Sequence, residues 1–573
     1  MLLADLIDGV SLRIASGDPG STRVGDLTED SRTALDGSLF VARQGLKNDG
    51  REFIGDAIAA GATAVLVDTA AADELVANAP EVLAGDAGPV CVLSTPEVSR
   101  VGAVLAERLA GNPSRELCLI GITGTNGKTT VAHIVHTLLN TAGVRCGLIG
   151  TISIDDGRAP RPITADMTTP PAPELSRLLA GMVDAGCRAA VMEVSSHALD
   201  QGRVSGLAFD IGVITNLTRD HLDYHGSMER YAEAKSRLFK MLDPEAGTAI
   251  INADDPEAVA IAAAFTGSAD GARSVGCSAL GQVVRGWSVE PRPAPNARQG
   301  QHGPAPRLFR VEGPGVAFDQ TTELVGRHNA LNACQAIAAA NEVLTRDGKP
   351  PAQRAAALRD GLSLCRTPPG RLEAVHGAGD DLSVFVDYAH TEDALEKALT
   401  ATRPIANAAN ARLVVVFGAG GDRDPGKRPV MGRIAAMRSD RAVLTSDNPR
   451  SEQPEAIIAD VMRGIPEMSR GRVTIEPDRA VAIRRAIGDA SAGDVLVIAG
   501  KGHETYQLSP DATGNVTRRH FDDCEEARAA LEQRRARRAQ EERATAVATV
   551  KHAGLAANHA GGLGVHGKQG DMS

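Results

Sequence analysis

Short apolar runs separated by turn residues recur along the whole chain, in three successive textures. From residue 1 to about 96, GSLFVA is followed by the helix-patterned FIGDAIAAGA and then by TAVLVD. That strand–helix–strand rhythm predicts a small α/β unit. From 117, LCLIGIT, CGLIGTI, AAVMEV and FDIGVIT read as strands between helical patterns. Strands so nearly continuously apolar belong in a sheet covered on both faces. A helical NALNACQAIAAANEVL closes this region, and DGKPPAQ reads as its exit linker. The alternation returns in LSVFVDY, ARLVVVFGAG, RAVLTSD and DVLVIAG, and the last strand–helix unit ends near 532. Between these blocks, VEPRPAPNARQGQHGPAPR (289–307) is rich in Pro, Gly and Arg and predicts a surface excursion. Beyond 532, EQRRARRAQEER could continue a helix, whereas AGLAANHAGGLGVHGKQGDMS lacks apolar periodicity and predicts disorder.

Composition narrows the picture. A chain of 573 residues is too long for one core. Aromatics at 3%, with one Trp, argue against stacking platforms for single-stranded nucleic acid. The net charge of −11 is not that of a polyanion coat, though it permits local cationic sites. The basic run at 534–538 is expected to be a solvated helix face rather than a docking site for an acidic partner. Eight cysteines without a CxxC pair disfavour a zinc ribbon or disulfide framework, so a reducing cytoplasm is the expected home. Asp5 and Asp8 interrupt the first apolar stretch, which reads as an amphipathic element and not a signal peptide. No run reaches the roughly 18 apolar residues of a membrane span.

The sharpest chemistry lies in LCLIGITGTNGKTTVAHIVHTLL (117–139). An apolar strand runs into Gly124, Thr125, Asn126, Gly127, Lys128, Thr129 and Thr130, and an amphipathic helix follows. Such a loop curls backbone N–H groups around phosphate oxygens, and the helix N-terminus adds positive potential. Lys128 would bridge the β- and γ-phosphates and the Thr129 hydroxyl would sit on Mg²⁺. Position 122 is Ile where the common GxxxxGK[ST] loop has Gly. ATP and Mg²⁺ are therefore the expected cofactors.

GTNGKTT resembles the ATP loop of the Mur ligases, amide-forming enzymes of peptidoglycan precursor synthesis, and of the related folylpolyglutamate synthases. The resemblance spans about residues 20–525 and is strongest to the branch that adds the third amino acid, diaminopimelate. It implies three α/β domains: 1–96 for the UDP-sugar, 97–345 as a P-loop ATPase-like domain with a mostly parallel sheet, and 346–532 as a Rossmann-like amino-acid domain. Residues 533–573 are left as a disordered tail. In VMEVSSHALDQGRV the resemblance assigns Glu193 to metal, and Ser195, Gln201 and Arg203 to the UDP-MurNAc-dipeptide, joined by Thr168 and Thr169. In NLTRDHLDYHGSMERYAEAKSRLF it places His221 at a second metal and makes Lys235 a carbamylated lysine supporting metal and ATP. Lys128, Lys235 and His221 are thus the catalytic candidates. Asn329, Arg371 and Asp387 match nucleotide-contacting positions, and Ser31 with Leu46, Lys47 and Asn48 match the uridine-nucleotide site. One departure is Glu392, where the family usually has Pro.

Three strand-end loops complete the inventory. Arg423 lies in a glycine-rich loop, Asp447-Asn448-Pro449-Arg450 ends a strand, and Gly500 and Glu504 follow another. One arrangement pairs two arginines with two carboxylates of diaminopimelate and leaves Glu504 for an ammonium group. The Asp-Asn-Pro-Arg motif resembles the mark of the diaminopimelate-adding branch. The expected function is ATP-dependent addition of meso-diaminopimelate to the D-glutamate of UDP-N-acetylmuramoyl-L-alanyl-D-glutamate through an acyl phosphate. Small molecules are the expected partners of a monomer, with no nucleic acid and no membrane insertion. Alternatives are a lysine-adding ligase of the same family, folylpolyglutamate synthesis, or a catalytically silent nucleotide-binding scaffold.

Overall fold

Among the described residues the apolar runs condense into three large sheets, with a separate two-stranded ribbon of Tyr506–Pro510 and Val516–His520. The structure, a computed structural model, describes residues 1–561 apart from 46–47, 80, 85–87, 159, 163–166, 267–272, 281–285, 293–306, 378 and 512, with backbone alone at 160–162, 262–266, 291–292, 307 and 546–561. The first sheet has the spatial order Arg13–Ser16, Cys91–Ser94, Ala62–Val67, Ser38–Val41, Asp26–Thr28, parallel except for its first strand. The helix Val98–Leu109 covers one face, burying Val98, Val101 and Leu105 against Leu39, Leu66 and Leu93. The first layer therefore extends past 96, because this helix has its apolar stripe on that sheet. The N-terminal helix Leu3–Ile7 buries Leu3 and Leu6 in the same core, as an amphipathic element should.

The second sheet is built around Cys118–Thr123, flanked by Ala189–Glu193 and Cys146–Ile149 on one side and Ile211–Ile214, Thr248–Asn252 and Arg273–Ser278 on the other, all parallel. Apolar clusters cover both faces, which is why the central strands are so nearly continuously apolar. The sheet continues through Trp287–Arg292, Arg307–Gly313 and Val316–Thr322. The expected surface excursion thus begins and ends in the sheet: Val289 is fully buried, because it sits on a strand paired with Arg307–Gly313. Residues 293–306 lie outside the described ones.

Two compact units divide at Pro369 and Gly370 instead of at 345. Helix Pro351–Leu364 stays with the first unit, since Leu358 and Leu362 enter the core shared with the phosphate-loop helix. In the second unit the sheet order is Glu373–Ala374, Ser383–Asp387, Val495–Ala499, Leu413–Phe417, Arg441–Leu444, Val473–Ile475, parallel except for the first strand. Glu392 opens helix Glu392–Ala408 directly after its cap Thr391, whose hydroxyl accepts from Ala394 N at 3.3 Å. Pro suits a first helical position, and an acidic residue there suits the helix dipole, so the departure leaves the turn intact. No helix among the described residues is long and apolar enough to cross a membrane.

The C-terminal helix runs from Asp523 to Gly561, so order does not end at 532. Its basic run is not simply solvated. Arg534 pairs with Asp381 through Nε–Oδ1 at 2.9 Å and Nη2–Oδ2 at 2.8 Å, and donates to Ile487 O at 2.9 Å, the end of another helix. Both side chains are buried, and Arg538 adds a second contact to Asp381. Truncation after Gln533 should therefore cost about 3–5 kcal/mol, the usual penalty for orphaning one partner of a buried ion pair. Truncation after Thr545 spares both arginines and should leave the melting temperature unchanged; equal melting of both truncations would refute this anchor.

Candidate active site

The phosphate loop joins strand Cys118–Thr123 to helix Lys128–Thr141. Two of its positions admit only glycine. Gly124 has φ +139°, and a Cβ there would lie 1.9 Å from Thr215 Oγ1; Gly127 has φ +93°, and a Cβ would lie 2.6 Å from Asn332 Oδ1. The loop is braced from outside: Asn126 N donates to Asn216 Oδ1 at 3.0 Å, while its carbonyl accepts from Thr215 Oγ1 at 2.6 Å and Asn216 Nδ2 at 2.9 Å. Such bracing holds the loop amides ready for phosphate oxygens. Asn329 sits one helical turn before the buried Asn332 and accepts from its Nδ2 at 3.1 Å. Thr215, Asn216 and Asn332 escaped the sequence reading. The signal for the first two was their place at the end of the neighbouring parallel strand.

Glu193 ends the strand beside the loop and is completely buried. Its carboxylate accepts from Thr129 Oγ1 at 2.9 Å, Thr151 N at 2.7 Å and Thr151 Oγ1 at 3.1 Å, all neutral donors. A dry carboxylate beside a phosphate-loop hydroxyl is a hard oxygen set that fits Mg²⁺, which otherwise keeps waters and phosphate oxygens. Among the described residues no group of three or more His, Cys, Asp or Glu forms a fuller cage. Lys128 Nζ donates to Gly124 O and Thr125 O, both at 3.0 Å, and Lys235 Nζ donates to the same Gly124 O at 2.8 Å. Lys235 is 1% exposed, and burial together with Lys128 holds its ammonium well below the usual lysine range. His221, at φ +53°, packs its ring edge-on to His197 at 4.9 Å. Desolvation pushes its imidazole down to about 4 with help from His197, Lys128 and Lys235, while Asp220 pulls the other way. It is therefore neutral near pH 7, the form in which imidazole binds a metal.

Thr168, Thr169, Ser195, Gln201 and Arg203 form one connected patch. Thr169 Oγ1 accepts from Ser195 N at 3.0 Å and donates to Glu193 O at 2.9 Å; Thr168 Oγ1 lies 3.1 Å from Thr151 Oγ1. Arg203 donates to Thr169 O at 2.9 Å and to Gln201 Oε1 at 2.6 Å. A cleft of about 700 Å³ lies alongside, lined by Arg43, Gln44, Gly45, Arg51, Arg100, Gln201 and Tyr224 among others. Arg43, Arg51 and Arg100 were missed in the sequence, although Arg43 lies two residues past the parallel strand Ser38–Val41, where α/β sheets take ligands. Ser31 opens a short helical turn, and Asn48 O accepts from Gly45 N at 3.0 Å; neither lines the cleft itself. Leu46 and Lys47 lie outside the described residues.

In the second unit the three strand-end loops converge. Arg450, at φ +54°, donates through Nη1 to Gly421 O at 2.7 Å, and Gly421 N donates to Asn448 O at 2.9 Å. Asn448 Nδ2 donates to Glu504 Oε2 at 2.7 Å, and Gly500 packs against the buried Asp447. Burial raises the Glu504 carboxyl above its usual value, opposed by Lys501. Beneath them, Arg479 and Asp523, both fully buried, pair at 2.7 Å, and Arg479 also donates to Ala499 O at 3.0 Å and Ser446 O at 3.3 Å. Arg479 thus ties two of the loops together, a role invisible in a sequence where it reads as one helix arginine among several. Arg371 stacks 4.7 Å over Tyr388, and Asp387 accepts from Leu372 N and Ala389 N at 2.6 and 2.9 Å. Burial raises the Asp387 carboxyl to about 6, against the pull of Arg371.

Comparison with known proteins gives these features a common setting. Family models described as Mur ligase family, catalytic domain, Mur ligase middle domain, and Mur ligase, glutamate ligase domain match residues 24–101, 122–340 and 370–502. The UDP-N-acetylmuramoyl-L-alanyl-D-glutamate–2,6-diaminopimelate ligase of Synechococcus elongatus is 44% identical over 510 residues, covering 89% of this chain and 94% of its own. That of Geobacillus kaustophilus is 40% identical, covering 90% and 96%. A solved structure of a ligase of the same description superposes with a TM-score of 0.62 at 31% identity, over 93% of this chain and 99% of that one. MurF from Acinetobacter baumannii shares the fold at a TM-score of 0.57 and 16% identity. With a phosphate loop backed by a buried carboxylate in one unit, converging arginine- and carboxylate-bearing loops in the other, and relatives matching along nearly its whole length, the chain belongs to the Mur ligase family.

Proposed function

We propose that this chain is an ATP-dependent, ADP-forming ligase that joins meso-diaminopimelate to the D-glutamate of UDP-N-acetylmuramoyl-L-alanyl-D-glutamate, acting as a cytoplasmic monomer in peptidoglycan precursor synthesis. The observation that carries the amino-acid choice is the convergence of the loops that bear Arg450, Arg423 and Glu504. Two guanidinium groups and one carboxylate complement a substrate with two carboxylates and a distal ammonium. Lysine would leave one arginine facing no partner.

The residues divide the work. The loop amides and Lys128 hold the ATP phosphates and stabilise charge as the γ-phosphoryl group moves to the substrate carboxylate. Mg²⁺, held by Glu193 and the Thr129 hydroxyl with His221 and carbamylated Lys235 in support, would neutralise the phosphate oxygens. Thr168, Thr169, Ser195, Gln201 and Arg203 hold the acyl substrate, and Ser31 with the 46–48 segment contacts the uridine nucleotide. Asn329, Arg371 and Asp387 are read as nucleotide contacts. The diaminopimelate amine then attacks the acyl phosphate, expelling phosphate through a tetrahedral intermediate. Activation comes from ATP, so no separate nucleophilic side chain is needed.

The purified chain, given UDP-MurNAc-dipeptide, ATP, Mg²⁺ and either diaminopimelate or lysine, should release ADP and tripeptide with the former. ADP and tripeptide with lysine at equal efficiency would favour the lysine-adding reading. Nucleotide binding without any product would favour the silent scaffold.

A further inference from the structure

Lys501 stands between two groups of the amino-acid pocket, Asn448 and Glu504, and is completely buried. Its Nζ donates to Asn448 Oδ1 at 3.2 Å and to Glu504 Oε2 at 3.1 Å, and lies 5.5 Å from the Tyr506 ring centroid. Resting on the ligase reading above, we propose that Lys501 is a positioning residue that fixes Asn448 and Glu504 for the substrate ammonium.

Two observations carry this. The first is the direction of the Asn448 amide. Its Oδ1 accepts from both Lys501 Nζ and Leu508 N, the latter at 3.0 Å, so its Nδ2 must face Glu504 Oε2, where it donates at 2.7 Å. With the amide reversed, two donors would oppose two donors. Glu504 Oε2 thereby receives two bonds from the protein, and Oε1 is left for the substrate. The second is the pairing of charges. Arg479 is taken up by Asp523, and Lys501, fully buried, is the cation in contact with Glu504 at 3.1 Å. Without Lys501, partial burial favours protonation of the Glu504 carboxyl, and a protonated Glu504 binds an ammonium poorly.

Lys501→Met, Glu504→Gln and the double variant test the coupling, with KM measured separately for each substrate. A charge-assisted contact is worth about a tenfold to hundredfold change in affinity. Lys501→Met should raise KM for diaminopimelate by that factor, leave KM for ATP and for the UDP-dipeptide unchanged, and alter kcat little. Because Lys501 acts through Glu504, the double variant should be no worse than Glu504→Gln alone. Additive losses, or equal changes in all three KM values, would overturn the proposal. If Lys501→Met fails to fold, Lys501→Gln decides by the same comparison, since it keeps a hydrogen-bonding side chain but loses the charge. Wild-type enzyme that makes no tripeptide would instead sink the ligase reading on which this rests.

Discussion

Lys235→Met is expected to lower kcat by about 10²–10³-fold, the range seen when one preorganised electrostatic group is removed from a reacting centre. The reason starts from burial. Lys235 Nζ shares the Gly124 carbonyl with Lys128 Nζ, at 2.8 and 3.0 Å, and lies 4.5 Å from the Tyr231 ring. Two ammonium groups cannot both sit comfortably on one carbonyl in a dry site, and Lys235, the more buried, is pushed toward its neutral amine. A neutral amine attacks CO₂ through its lone pair; the nitrogen–carbon bond forms, a proton leaves to water, and an anionic carbamate results. On the proposed carbamylation, the charge beside Lys128 would change from repelling to attracting. Wild-type turnover should therefore rise when bicarbonate is added to CO₂-depleted enzyme, while the Met variant stays low and unresponsive. Bicarbonate-independent wild-type turnover would remove the carbamate from the mechanism.

The same residue ties activity to stability. Its ammonium is disfavoured in the folded chain, so the native state binds fewer protons than the unfolded one between the depressed value and the ordinary 10.5. Stability attributable to Lys235 is thus lowest when it is protonated and rises with pH through that window. In CO₂-free buffer at neutral pH the slower Met variant should melt above wild type, and the gap should close as pH approaches the ordinary lysine value. A gap that widened with pH would contradict the assignment.

Arg450→Ala should cut the preference for diaminopimelate over lysine by about tenfold to hundredfold, the worth of one charge-assisted contact. Arg450 is held in left-handed backbone after Pro449, and its guanidinium is aimed by the bond to Gly421 O at 2.7 Å. The facing loops pack backbone against backbone: a Cβ at Gly421 would lie 1.9 Å from Pro449 O. A side chain fixed this closely cannot swing to serve a substrate lacking the second carboxylate, so its loss falls on diaminopimelate alone. The measurement is the ratio of kcat/KM for the two amino acids. An unchanged ratio would take Arg450 away from the distal carboxylate.

The silence of the sequence about Arg479 and Lys501 has a physical cause. Both are cations that a linear reading assigns to solvent, because Lys and Arg are almost never fully buried unless paired. Their anchoring partners lie far along the chain, Asp523 for Arg479 and Asn448 for Lys501, and the nearby Glu504 reads on a line as one more solvent-facing charge. Arg534 escaped for the same reason, and its pairing with Asp381 is why the C-terminal helix is anchored where disorder was expected.

What the sequence determined by itself was whatever local chemistry dictates. The near-continuous apolar strands required doubly covered parallel sheets, and Gly-Thr-Asn-Gly-Lys-Thr-Thr between strand and helix required a phosphate loop. The Asp-Asn-Pro-Arg turn, with a proline limiting its backbone, was legible as a turn just past the strand Arg441–Leu444. What only the tertiary structure decided was which of these groups meet and in what state of charge. Glu193 is fully buried beside Thr129, Lys235 shares a carbonyl with Lys128, and the fully buried Lys501 pairs with Glu504. Burial and through-space pairing set those properties, and both depend on residues that folding alone brings together.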